Sequence, residues 1–105
     1  MRDSDSPETE LLRTLLQPLL EDFQYWFARS RDFLETEQLL FMSQSDQSDL
    51  LTRVKEAQEE VHTAKMLFMA TDAKVGIDMA TLMPWHQLVT ECWNVATRFR
   101  QGGEV

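Results

Sequence analysis

Glu59 and His62 stand one helical turn apart, so a carboxylate and an imidazole could reach one ion, as they do in di-iron carboxylate bundles. Such a centre needs a second Glu-x-x-His pair and two further glutamates. The chain has two histidines, and His86 has no glutamate three residues before it. The pair is therefore read as part of a solvated face. His86 and Cys92 are six residues apart, which sets them about 120° apart around a helix and makes a shared ligand position awkward. Cys92 falls on an apolar stripe with no basic group evidently placed to activate it, and is expected to be a buried structural thiol. Serines gather near the N-terminus and at 43–48, without a nucleophile elbow, and no glycine-rich phosphate loop is present. No catalytic, cofactor-binding or metal-binding residue is assigned, and the expectation is a protein that is not an enzyme. Met66, Met69, Met79 and Met83 gather in one region, where they would fill a core beneath a loop or form an adaptable docking patch.

The elements that must position these residues are helices. Fourteen leucines against seven Ile and Val, with three glycines and three prolines, favour an all-α fold. Ser6-Pro7-Glu8 reads as a helix start, which leaves residues 1–6 as a disordered N-terminus. Leu12, Leu16, Leu19, Phe23, Trp26, Ser30 and Phe33 then recur at intervals of four and three and form one stripe. Pro18 keeps the phase but removes an amide and crowds the Thr14 carbonyl, so a kink or a break is expected near 14–18. A second stripe runs through Leu50, Val54, Ala57, Val61, Ala64 and Phe68. A third runs through Leu82, Trp85, Val89, Cys92, Ala96 and Phe99, with Pro84 expected in its first turn. Ser43 to Asp49 reads as a tight reversal, and Gly76 and Asp78 as the stop of one helix and the cap of the next. These elements predict an antiparallel three-helix bundle over 7–101 with a flexible C-terminus at 102–105.

The chain has 105 residues, the size of one domain, and 43% of them are hydrophobic, enough for an ordinary core. Ten Lys and Arg against eighteen Asp and Glu leave a net charge of -8, which argues against a nucleic-acid binder. One cysteine excludes an internal disulfide and points to an intracellular setting. No apolar run reaches eighteen residues and the first ten residues lack the apolar core of a signal peptide, so a cytoplasmic protein without direct membrane insertion is expected. A polar face carrying Glu21, Asp22, Asp32, Glu35 and Glu37 would also be repelled by anionic lipid.

The first helix is apolar over roughly half its circumference and the third over about 160°, wider than the stripe one contact requires. Packing against two neighbours explains much of this width. An intermolecular contact is the alternative, with Leu15, Tyr25, Trp26, Phe27, Trp85, His86 and Trp93 as the contact residues. The function expected from these faces is a protein-protein interaction module, an adaptor or assembly factor that forms a homo-oligomer or docks onto a protein partner. The alternative is a binder of an apolar cofactor, haem or a pigment, in which His86 supplies a ligand beside Trp85 and Trp93.

The segments Met83-Pro84-Trp85-His86-Gln87-Leu88-Val89-Thr90-Glu91-Cys92-Trp93 and Leu19-Leu20-Glu21-Asp22-Phe23-Gln24-Tyr25-Trp26-Phe27 carry a resemblance to a known family. The chain resembles short acidic helical proteins of cyanobacteria classed as a domain of unknown function, over about residues 8 to 100. The resemblance implies a cyanobacterial cell and a connection with photosynthetic physiology, with the protein peripheral to the thylakoid through a partner. It implies no activity, so no catalytic residues carry over.

Overall fold

A computed structural model describes residues 7–71 and 79–102. The expected stop at Gly76 and cap at Asp78, residues 1–6, and positions 103–105 lie outside them. Among the described residues the chain is all-helical, with no strand: α1 is Pro7–Thr36, α2 is Gln44–Ala70 and α3 is Met79–Gly102.

Pro18 does not break α1, which continues through it for 30 residues. The proline sits on the exposed side, where the carbonyl it leaves without a donor can be hydrated, and the leucines around it are strong helix formers. The buried face of α1 is rotated from the expected stripe. Its centre is the seven-residue row Leu20, Phe27 and Leu34, flanked by Phe23, while Leu19 is exposed. Trp26 and Phe33 lie on the flank that meets α3, so the broad apolar face is divided between two neighbours.

The reversal between α1 and α2 comes earlier than Ser43–Asp49. Only Ser43 of that run stays outside the helix, as its N-cap: its Oγ accepts from the Asp46 amide at 2.9 Å. Asp46 in the first turn complements the positive end of the helix dipole, so a polar run expected to turn instead starts the helix. The connection at 37–43 is held by Gln47. Its Nε2 donates to the carbonyls of Leu34 at 3.0 Å and Glu37 at 2.7 Å, and its Oε1 accepts from the Leu39 amide at 3.1 Å. One side chain thus satisfies carbonyls left open at the end of α1 and seats Leu39 in the core.

The core of α2 follows the expected spacing, with Leu50, Val54, Ala57, Val61 and Phe68 buried. In α3, Trp85, Leu88, Val89 and Cys92 are buried. Pro84 is the sixth residue of α3, in its second turn rather than its first, so it withholds a bond from the Ala80 carbonyl.

Contacts between helices follow a consistent order. Glu35 meets Lys55 at 3.7 Å, Arg31 meets Gln58 at 3.1 Å, and Gln24 meets Lys65 at 3.2 Å, so partners on α2 rise in number as those on α1 fall. Between α1 and α3 the ring pairs Phe23–Trp85, Trp26–Trp93 and Phe33–Phe99 rise together. Val54, Ala57 and Val61 are short enough to let α1 and α2 approach closely, whereas these rings hold the α3 backbone farther away.

Candidate interaction surface and cleft

Two aromatic pairs prop α1 and α3 apart. Trp26 and Trp93 meet edge to face with centroids 5.3 Å apart, and Phe33 and Phe99 do the same at 5.2 Å. Between these pillars the helices present Ser30 and Ala96, which are too small to fill the gap. The result is a cleft of about 480 Å³ that reaches Leu34, Leu50 and Cys92. This volume is within the range of small-molecule sites.

The polar groups of the cleft are unevenly charged. Arg29, Arg100 and Glu37 line it. Arg29 donates to the Tyr25 hydroxyl at 3.4 Å and lies 5.7 Å from that ring centroid, while Arg100 donates to Thr97 Oγ1 at 3.3 Å. Arg98, nearby on α3, stacks over Phe41 at 4.7 Å. Every other described lysine and arginine has a carboxylate partner: Arg13 with Glu10, Arg31 and Lys55 with Glu35, Arg53 with Glu91, and Lys65 with Glu21. Arg29, Arg98 and Arg100 are the described cations without one. Cys92 is buried at the base, as expected. Burial pushes its thiol above the ordinary value, partly offset by a hydrogen bond with the Ser30 side chain.

The second feature is an apolar end. Lys65 lies 3.7 Å from Glu21, and Trp85 packs on Phe23, so the first half of α1, the last turns of α2 and the first turns of α3 share one end of the molecule. Leu11, Leu15 and Leu19 of α1, Met66, Leu67 and Met69 of α2, and Met83 of α3 are all exposed there. Met66, Met69 and Met83 therefore do not fill a core beneath a loop.

The residues expected to make contacts are dispersed. Leu15 belongs to the apolar end. Tyr25, Trp26 and Trp93 form an aromatic chain, with Tyr25 and Trp26 centroids 5.1 Å apart, and Tyr25 and Trp93 remain 53% and 45% exposed. Phe27 and Trp85 are core residues and are withdrawn from the surface, because Phe27 lies at the centre of the buried row and Trp85 packs against Phe23. The Trp85 indole still satisfies its N–H, which donates to Glu60 Oε1 at 3.0 Å. His86 is exposed and does not line the cleft, so the histidine and the cavity are separate. Glu59 and His62 face solvent beside Gln24 and Arg31. No group of three His, Cys, Asp or Glu that could hold a metal occurs among the described residues.

Sequence reasoning missed Arg29, Arg100 and the opposition of Ser30 to Ala96. The available signal was a small residue between aromatic ones in two separate stripes. Among the described residues no helix is long and apolar enough to cross a membrane. The fold places the chain among small all-helical domains with a core of three helices. More particularly, the family model described as "Protein of unknown function (DUF2605)" matches residues 6–101, and the chain belongs to that family. No curated protein and no solved structure matches it.

Proposed function

We propose that the chain is an up-down-up antiparallel three-helix bundle that acts as a non-enzymatic protein-protein interaction module. The observation that carries this reading is the apolar end, where Leu11, Leu15, Leu19, Met66, Leu67, Met69 and Met83 stay exposed at one end of an otherwise acidic chain. Burying such side chains releases roughly 25 cal/mol per Å², and flexible methionines adapt to a partner's shape. Association through this end, by a second copy or by a larger protein that the bundle helps assemble, removes that surface from water. Tyr25, Trp93 and His86 offer a flank farther along the molecule. The cyanobacterial setting and the thylakoid periphery belong to the same proposal.

The test combines light scattering over a range of concentrations with affinity capture from the native host. Association, or capture of a partner, that is lost in Leu15→Glu/Met69→Glu while helical content is retained is the expected result. A single-chain mass at every concentration, with capture unchanged by the double substitution, overturns the reading.

A further inference from the structure

The cleft between α1 and α3 calls for a ligand different in kind from the partner of the apolar end. Most of its lining is rings and aliphatic side chains, which favours an occupant with an apolar body. The cleft is flanked by the Trp26–Trp93 and Phe33–Phe99 pairs, seven residues apart on α1, and its lining continues past the second pair to Leu34, Glu37 and Arg100. At the helical rise these pillars stand about 10 Å apart. The space of about 480 Å³ is the size of a small-molecule site.

Charge narrows the class. The chain carries -8 overall, yet the cleft is lined by two of the three described cations that have no carboxylate partner, and Arg98 on α3 is the third. The protein pairs its other described lysines and arginines with carboxylates. Arg29 and Arg100 instead hold long hydrogen bonds to the Tyr25 and Thr97 hydroxyls, at 3.4 and 3.3 Å, with Arg29 also over the Tyr25 ring, and both remain exposed. A guanidinium in that condition gains most from an anionic oxygen, which it can bind with two parallel N–H donors. Glu37, also in the lining, disfavours a ligand with several negative charges.

We propose that this cleft binds a small amphipathic anion, an apolar chain about the length of a medium acyl group with a single carboxylate-like head. The chain lies over Ser30 and Ala96 between the ring pairs, and the head meets Arg29 or Arg100 at the mouth. Neither the site nor its ligand depends on the apolar end.

The probes are decanoate, decanol and decyltrimethylammonium, which share an apolar body and differ in charge. They are titrated below their micelle concentrations against the full chain by calorimetry and by tryptophan emission, since Trp26 and Trp93 line the site. The expected result is saturable one-to-one binding of decanoate, at least tenfold weaker binding of decanol, and none of the cation. Arg29→Gln/Arg100→Gln, at two exposed positions, should weaken decanoate about tenfold and leave decanol unchanged. Ala96→Leu, with helical content checked, should weaken both. Absence of saturable binding, equal binding of decanoate and the cation, or a double variant with unchanged affinity overturns the proposal. Leu15→Glu/Met69→Glu should bind decanoate normally, which separates a failure here from a failure of the docking reading.

Discussion

The indole N–H of Trp85 donates to Oε1 of Glu60 at 3.0 Å, which ties the largest side chain in the core of α3 to a carboxylate on α2. The bond lets an aromatic ring that is 3% exposed keep its only polar atom satisfied. Glu60→Ala leaves that N–H without its protein partner and should cost about 1 kcal/mol. Glu60→Gln retains the acceptor oxygen and should cost less than half as much. Urea denaturation of both variants, and of each combined with Trp85→Phe, checks the assignment, because the penalty of Glu60→Ala should shrink once the donor is gone.

Gln47 makes the sharper prediction. Its amide gives two hydrogen bonds to carbonyls at the end of α1 and receives one from the loop, so Gln47→Ala should destabilise by about 1–3 kcal/mol. Gln47→Glu should be at least as damaging at neutral pH. It loses the N–H donors and places negative charge against two carbonyl oxygens at the negative end of the helix dipole. Lowering the pH through the titration of the introduced glutamate should return part of the loss, which thermal melts at pH 7 and pH 4 would resolve.

Arg53 and Glu91 join α2 to α3 through two parallel bonds, at 2.9 and 2.7 Å. The Arg53 hydrogen bonds hold the Glu91 carboxyl below its ordinary value of 4.5. A lowered folded-state value means the unfolded chain takes up the proton first. The stabilisation is therefore present above the ordinary glutamate value and is lost as the pH falls through the lower folded value. Both side chains are about half exposed, so a double-mutant cycle with Arg53→Ala and Glu91→Ala should give only about 0.5–1 kcal/mol at low salt, and less at high salt. Glu91→Gln should flatten the acid limb of the stability curve.

Cys92 should respond to alkali in the opposite sense. Burial raises its thiol value, so the unfolded chain releases its proton first. The contribution of Cys92 to stability is full below the unfolded value and declines as the pH rises toward the folded one. Iodoacetamide should label the native chain at least tenfold more slowly than the chain in urea at pH 8, since thiolate and access are both limiting. Cys92→Ala should remove this alkaline dependence.

Spacing alone conveyed the number of helices and the core row of α2, because Leu50, Val54, Ala57, Val61 and Phe68 meet their neighbours on one narrow face. On α1 the same reasoning placed the stripe about one position away from its centre. A helix that serves two neighbours carries apolar residues on both flanks, and spacing does not say which row lies between them. The start of α2 was hidden because serine and aspartate favour caps and turns alike, and a cap is revealed only when Ser43 Oγ meets the Asp46 amide. The cleft was hidden more deeply. Ser30 and Ala96 occur in stripes far apart in the chain, and only the alignment of α1 with α3 sets them opposite each other. The burial of Trp85 depended in the same way on an acceptor, Glu60, on another helix.

The unequal spacing of the helices also sets an order of opening. Close backbone approach and the Gln47 clasp tie α1 to α2, while α3 lies farther from both and is joined by ring contacts to α1 and by the Arg53–Glu91 and Trp85–Glu60 bonds to α2. Deuterium should therefore enter the amides of α3 through a partial opening that leaves α1 and α2 protected. Such an opening of the third helix would carry one wall of the cavity away with it.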